Sequence, residues 1–236
     1  MADITGDTRA QSRALEDVSA ASHYRAWLTS LAVDHLGEHP IEIGSGHGDY
    51  AAEWLSHVDA FTATDADEGR VDVLRERFAA EPRVSVRRML MPSDVDGAHS
   101  SALAYNVLEH IPDDVACLRS MARLVRPGGK VVVFVPAFPM LMSKFDAQVG
   151  HVRRYRRATL RTAFHEAGLS PEVLHHVNWA GWFAWLLMMR LLKGSPRDGI
   201  ALRAYDRAIV PAVRLGERLV KPPFGQSLLA VARTPL

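Results

Sequence analysis

The sequence predicts an α/β fold, a Rossmann-like, doubly wound and mainly parallel sheet, from three observations. Short apolar runs alternate with segments of helical periodicity through the middle of the chain, which is the pattern of βαβ units with helices on both faces of a sheet. The first such run, Ile41-Glu42-Ile43, opens directly into Gly44-Ser45-Gly46-His47-Gly48, where alternating glycines let the backbone turn sharply and lie close to a ligand. The run Val131-Val132-Val133-Phe134-Val135 contains no polar residue, as a central parallel strand covered on both sides requires.

The elements follow in order. Tyr24, Trp27, Leu28, Leu31 and Leu36 recur at helical spacing until Gly37 and Pro40 close the segment, whereas residues 9–20 are helix-compatible but poorly patterned. After the glycine turn, Ala51, Ala52, Leu55 and Val58 give the first crossover helix, Phe61 to Thr64 the second strand, and Val71, Leu74 and Phe78 the second helix. A third strand is expected from Val84 to Leu90 and a fourth from Ala102 to Tyr105. The helix from Asp113 carries Val115, Leu118, Met121 and Val125 toward the sheet, with Cys117 beside them as a small buried hydrophobe. A short helix over 159–168, ending at Gly168, leads to a sixth strand, Pro171 to Val177. Trp179 to Met189 is apolar nearly all round, which predicts a buried helix, and is too short to span a bilayer. Ala201 to Val220, interrupted at Pro211, predicts one kinked or two short helices. Pro222-Pro223-Phe224-Gly225 turns the chain into a final strand, Ser227 to Ala232.

With 236 residues and 48% hydrophobic content, the chain has material for one substantial α/β domain with an appendage. With a formal net charge of +1, the whole molecule has no basic field of the kind that steers a protein to nucleic acid; only local patches could do that, and no nucleic-acid partner is expected. The single cysteine, Cys117, excludes an internal disulfide, and no Cys/His grouping has zinc spacing, so no metal is expected. A reducing, cytoplasmic setting fits, as does the polar stretch Met1 to Asp17, which has no apolar signal segment. A helix start after a glycine turn offers free N–H groups to a nucleotide. A dinucleotide site needs a small residue where Asp49 stands, which disfavours NAD. Asp65, about twenty residues past the first glycine, has the offset of an acid that takes a ribose hydroxyl.

The pattern acid-x-Gly-x-Gly-x-Gly from Glu42 to Gly48 resembles motif I of the class I S-adenosylmethionine (SAM)-dependent methyltransferases, bacterial small-molecule type. Ala102 to Pro112 resembles that family's fourth strand and following loop, and Leu124 to Lys130 the turn before its fifth strand; the likeness is specific over about residues 35–170. It implies a seven-stranded sheet with an antiparallel last strand and a helical cap inserted between strands six and seven. The expected organisation is an N-terminal helical segment (1–36), a SAM-binding core (37–178), the cap (179–222) and a last core strand (223–236). The resemblance further implies SAM contacts from Glu42, Gly44, Ser45, Gly46, Gly48, Asp65, Ala66, Asn106 and Leu108, with Glu42 at the methionine end, Asp65 on the ribose and the glycines admitting the sulfonium close to backbone. Many relatives carry an adenine-binding acid near the end of strand three; Leu90 and Met91 stand there, so Asp94 is either a displaced acceptor or the opening of a turn after Pro92-Ser93.

The acceptor side is expected beyond the carboxyl ends of the strands, where Asn106, Glu109 and His110 line the rim, although Glu109 and His110 also read as loop and cap residues. Asn106-Val107-Leu108-Glu109 is not the Asn/Asp-Pro-Pro-aromatic tetrapeptide of base-amine methyltransferases, which disfavours such substrates. Phe145 to Tyr155 resembles the substrate-side loop of a bacterial subgroup met beside sugar-transfer and natural-product genes, with Asp, Gly-His and Arg-Tyr in that order. His151 is the candidate general base and His110 its competitor, since imidazole suits proton removal at neutral pH. Glu109, Tyr155, Asn178 and Trp179 are candidate substrate contacts. Arg153, Arg154, Arg156 and Arg157 read as an anion clamp or, preferably, as a solvated helix-start face. The expected reaction is methyl transfer from SAM to a small molecule, at a hydroxyl oxygen first, in secondary or glycan-related metabolism. The alternatives are a SAM-binding protein with a non-methylating reaction, and a membrane-surface enzyme for a lipid-linked acceptor, prompted by Trp179 to Leu192.

Overall fold

Helix α1 (Ser22–Ser30) leads into β1 (Ile41–Ile43), α2 (Asp49–Trp54), β2 (Phe61–Asp65), α3 (Glu68–Arg77) and β3 (Val84–Arg88). The chain continues through β4 (His99–Tyr105), α4 (Asp114–Arg123), β5 (Val125–Pro136), α5 (Lys144–Val149), α6 (Arg157–Glu166) and β6 (Ser170–Val177), then α7 (Trp179–Trp185), α8 (Gly199–Ala204), α9 (Val210–Leu219) and β7 (Ser227–Arg233). The computed structural model describes residues 7, 11, 20–187 and 199–236, so the Met188 to Leu192 end of the tryptophan-rich run and most of 9–20 lie outside the described residues.

The seven strands form one sheet in the order β3-β2-β1-β4-β5-β7-β6. Strands β1 to β5 pair in parallel, and β7 runs antiparallel to both β5 and β6, the mainly parallel sheet with an antiparallel last strand that the sequence predicts. Alternation along the strands builds two cores. Ile41, Ile43, Ala102, Ala104, Val131, Val133 and Val135 face α4 and α6 through Leu118, Met121, Leu160 and Phe164. Ala63, Leu103, Tyr105, Val132 and Phe134 face the other way, onto Trp27 of α1, Trp54 of α2 and Leu74 of α3. Each fully buried aliphatic or aromatic side chain contributes roughly 1.5–3 kcal/mol of transfer free energy, so this two-sided burial anchors the ends of the strands.

Local chemistry starts the helices. Asp67 accepts the Arg70 N–H and Asp113 the Ala116 N–H, capping α3 and α4. Asp206 accepts the N–H groups of His23 and Tyr24 at 3.1 and 2.8 Å, tying the start of α1 to the chain between α8 and α9. No helix among the described residues is long and apolar enough to cross a membrane.

Three expectations are corrected. Strand β3 stops at Arg88 rather than Leu90, its residues half-buried or exposed as on an edge. The expected turn at Leu124 to Lys130 is absorbed into β5, whose pairing with β4 shifts between His99 and Ser101. Over 201–220, a π-helical turn at Tyr205–Ile209 separates α8 from α9, and Pro211 sits in the first turn of α9, where its missing N–H is not needed. Helix α7 is not buried all round, because Trp179, Phe183 and Leu187 on one of its faces are 41%, 49% and 52% exposed. Its inner face is covered, with Trp182 edge-on to Phe138 and Trp185 Nε1 donating to the Leu141 carbonyl.

Candidate active site

The strand order reverses between β1 and β4, and ligands of open α/β sheets lie beyond the carboxyl ends at such a reversal. The turns after β1, β2 and β4 carry the expected cofactor residues to this place.

On the cofactor side, Ser45 N–H donates to the Thr64 carbonyl at 2.7 Å, while its Oγ accepts from Thr64 N–H at 3.2 Å, so the glycine turn is bonded to β2. Gly46 N–H donates to Asp65 Oδ2 and Asp67 N–H to Asp65 Oδ1, both at 3.0 Å. Burial raises the Asp65 pKa, opposed by those N–H groups and by Arg70, whose Nη1 is 3.9 Å away. A carboxylate offers about four lone-pair sites, so Asp65 keeps capacity for a ribose hydroxyl after holding the turn. Glu42 is fully buried in β1, and its Oε2 has no hydrogen-bond partner among the described residues. Burial pushes Glu42 up to about 8, with a Ser45 hydrogen bond acting against it. An orphaned buried carboxyl oxygen beside the turn fits a ligand that brings a polar or cationic group, as the amino-acid end of SAM does.

At Gly44 and Gly48 the space of a side chain is taken by neighbouring protein. A Cβ on Gly44 would lie 2.6 Å from Val107 Cγ2, and one on Gly48 would lie 2.8 Å from Phe78 and 2.9 Å from Leu74. Their bare faces therefore admit neighbouring protein: the loop after β4 in one case, α3 and its end in the other. All three glycines have positive φ, at 71°, 56° and 79°, where a side chain is strained. Ala66 presents its carbonyl to Arg88, and Asn106 is exposed with φ 54°, the backbone of a tight turn over the crevice. Leu108 is fully buried in the core, so only its backbone can face a ligand. Asp94, the alternative adenine acceptor, has its side chain exposed to solvent and meets Arg123 at 3.2 Å.

The acceptor side is built on the loop after β4 and on α5. A capping box, Ser143 with Asp146, starts α5 and fixes Asp146. Asp146 Oδ1 receives His151 Nδ1 at 2.8 Å, Arg154 Nε at 2.9 Å and Arg154 Nη2 at 2.8 Å. Despite the penalty of burial, the His151 bond, Arg154 and Ser143 hold Asp146 down at about 2. An ionised Asp146 can only accept, so His151 Nδ1 carries the proton and Nε2 is its basic nitrogen. That Nε2 lies 3.7 Å from Glu109 Oε1. Glu109 is not a rim residue: it is fully buried, neither oxygen has a hydrogen-bond partner among the described residues, and burial pushes it up to about 7, with His151 acting against this. His110 stands edge-on to His151, with ring centroids 4.7 Å apart. Burial, then the neighbouring His151, pushes it down to about 4, while a hydrogen bond to the Gly150 backbone works the other way.

Several expected substrate contacts make bonds within the protein. Tyr155 is buried and donates to Asp114 Oδ2 at 2.8 Å. Asn178 is buried; its Oδ1 accepts from Gly181 N–H and the Tyr205 hydroxyl, and its Nδ2 donates to Gln226, which caps α7 and joins it to the following segment. Trp179 is exposed on the outer face of α7. Arg153 pairs with Asp114, and Arg154 is buried against Asp146 with its guanidinium 4.6 Å over the Trp185 ring, so neither is a free anion clamp; Arg156 and Arg157 are exposed at the start of α6. Sequence reasoning did not assign Asp146 a role, although Ser143-x-x-Asp146 is a legible helix start. It also missed that Glu109, His110 and His151 place one donor atom each within 4.8 Å of one another, for which their sequence spacing carries no signal.

Sheet order, glycine turn and buried acids are the arrangement of a nucleotide-binding α/β domain. Residues 41–131 match the family model described as "Methyltransferase domain". The chain is 28% identical over 175 residues to malonyl-[acyl-carrier protein] O-methyltransferase of Serratia marcescens, covering 71% of this chain and 67% of that protein. It is 29% identical over 113 residues to ubiquinone biosynthesis O-methyltransferase of Aeromonas salmonicida, covering 45% and 47%. The chain thus spans between about half and two thirds of the length of these relatives. Its fold is similar to that of geranyl diphosphate methyltransferase solved in complex with SAM, with a TM-score of 0.61 at 14% identity over 88% of this chain and 84% of that one. Residues 41–131 are thus a methyltransferase domain, and together these findings support a class I SAM-dependent methyltransferase.

Proposed function

We propose that the chain transfers the methyl group of SAM to an oxygen of a small molecule seated beside His151, under the segment 179–222 acting as a cap. The carrying observation is the Asp146–His151 pair, which leaves Nε2 basic next to the loop that follows β4. SAM supplies the electrophilic methyl, and the chemistry of the sulfonium is the cofactor's own. The protein's share is orientation: Glu42 and Asp65 hold the two ends of the cofactor, and the loop 106–110 with His151 sets the acceptor in line. His151 Nε2 takes the acceptor's proton, and Glu109 at 3.7 Å stabilises the resulting imidazolium. Both curated relatives named above are O-methyltransferases, which supports oxygen as the acceptor atom. The likeness of Phe145 to Tyr155 to a subgroup found beside sugar-transfer and natural-product genes supports an acceptor from secondary or glycan-related metabolism. A reducing cytoplasm fits the lone, buried Cys117.

The test is an untargeted mass-spectrometric search of a cell extract incubated with SAM for a product heavier by one methylene. The His151→Ala protein should bind SAM and turn over about two to four orders of magnitude more slowly, the size of a general-base contribution. A His151→Ala enzyme of near-normal turnover would overturn the base assignment.

One observation favours a second reading, a lipid-linked acceptor met at a membrane surface: the exposed apolar stripe of Trp179, Phe183 and Leu187. Liposome sedimentation separates the two. A protein left in the supernatant supports the small-molecule reading, and tight pelleting supports the lipid-linked one.

A further inference from the structure

We propose that Glu109, His110 and His151 bind a zinc-class, first-row divalent cation beside the acceptor position. Each residue offers one ligand atom, and the three atoms lie within 4.8 Å of one another. Two donors at about 2.1 Å from a tetrahedral metal stand about 3.4 Å apart, and Glu109 Oε1 is already 3.7 Å from His151 Nε2. Only small side-chain rotations separate the observed cluster from a coordination shell.

A second observation points to a ligand independently of this spacing. Glu109 is completely buried, yet neither of its carboxyl oxygens has a hydrogen-bond partner among the described residues. A buried carboxylate without compensation is costly, and native proteins pair such groups or place a metal on them. The nearby Arg154 guanidinium does not fill the role, since its Nε and Nη2 both go to Asp146 and its Nη1 to the Ala137 carbonyl. A cation at the focus of the cluster meets one of the orphaned oxygens.

The surroundings have the form of a metal site's outer layer. Metal-binding histidines ordinarily give their other ring nitrogen to a carboxylate or a backbone carbonyl, which fixes the tautomer and aims the lone pair. His151 gives Nδ1 to Asp146 at 2.8 Å, and His110 has a hydrogen bond to the Gly150 backbone. Two imidazoles and one carboxylate select a first-row transition metal or zinc over magnesium or calcium, which prefer all-oxygen shells. Three protein donors leave an open position, the hallmark of a catalytic rather than a structural site. His110 and His151 are partly exposed, so the opening is on their side.

What the cation does there rests on the methyltransferase reading above. The acceptor oxygen takes the open position, its hydroxyl pKa falls, and its proton leaves to water. The oxygen lone pair then forms the new bond to the SAM methyl carbon, and the electron pair of the broken sulfur–carbon bond stays on sulfur. His151 Nε2 is in that case a ligand, and the cation replaces it as the group that makes the acceptor nucleophilic.

Cobalt(II) is the probe, added to the full-length chain after removal of metals with a chelator, with SAM titrated separately by calorimetry. The expected result is one equivalent of bound cobalt with visible absorption bands of a nitrogen- and oxygen-ligated ion, competed by zinc. Glu109→Gln and His110→Ala should each abolish the bands. Asp146→Asn, which touches only the outer layer, should keep them while weakening affinity about 10- to 100-fold. If Glu109→Gln does not fold, the wild-type spectrum and His110→Ala decide. A folded, SAM-binding chain that takes up neither cobalt nor zinc overturns the metal site and leaves the methyltransferase reading standing. Bands that survive His110→Ala and His151→Ala together also overturn the site, and a chain that binds cobalt but not SAM overturns the methyltransferase reading instead.

Discussion

Replacing Asp65 with alanine should damage two things at once, and the structure says by how much. The carboxylate holds the glycine turn to β2 through Gly46 N–H and Asp67 N–H, each at 3.0 Å, and in the complex it also takes the ribose. Hydrogen bonds to a charged group contribute about 1.5–3 kcal/mol each. Part of that is returned on folding, because the substitution also removes the desolvation of a carboxylate whose pKa burial raises. The net loss of stability should be about 1–3 kcal/mol, which lowers the Tm of a chain this size by roughly 2–10 °C. The Kd for SAM should rise further, about 10- to 150-fold, the same 1.5–3 kcal/mol applied to the ribose. Thermal unfolding without ligand and calorimetry with SAM read the two effects separately. Asp94→Ala, at an exposed residue on a surface pair, should change neither. A folded Asp65→Ala protein with unaltered SAM affinity would refute the placement of the ribose at the end of β2.

Glu42 predicts a pH effect. Its folded pKa of about 8 lies above the ordinary 4.5, so its contribution to the stability of the unliganded protein is fully present below 4.5 and is lost as pH rises through 8. A cationic amino-acid end of SAM beside it favours the ionised form, so binding near pH 7 should release a proton. Calorimetry in two buffers of different ionisation enthalpy reads this directly, and Glu42→Gln should remove the dependence; a wild type without any would contradict the reading. Gly44→Ala forces a Cβ to 2.6 Å from Val107 Cγ2 at a φ of 71° and should cost about 2–4 kcal/mol, combining overpacking and backbone strain. Adding Val107→Ala should recover the steric part in denaturant titrations, and no recovery would show that the strain is in the turn alone.

The sheet was legible where one physical demand dominated. Val131 to Val135 admits no half-exposed placement, and Gly44 to Gly48 admits no regular strand or helix. The strand order, by contrast, was not legible, because alternating strands and helices predict parallel pairing but not which strand is central, and the resemblance supplied the antiparallel last strand. The site was legible in position more than in role. Glu42, Asp65 and His151 are where their spacing puts them, at the ends of strands or just beyond β5. Glu109, Tyr155 and Asn178 are polar residues in loops, where exposure is the default. Each is buried by segments far away in sequence: Glu109 against His151, Tyr155 against Asp114, Asn178 against Tyr205 and Gln226. Helix α7 fails in the opposite sense. Its apolar composition reads as burial, but only its inner face meets the loops around Phe138 and Leu141, and the other is left open.

Calorimetry with SAM and with NAD decides whether the crevice at the β1/β4 reversal is a SAM site or a dinucleotide site. Asp49 occupies the position where a dinucleotide fold needs a small residue, and it is pinned there by Arg77 at 2.8 Å. The wild type should bind one equivalent of SAM, weakened by Asp65→Ala, and give no heat with NAD. Saturable binding of NAD, or a folded protein that binds neither ligand, would contradict the SAM assignment.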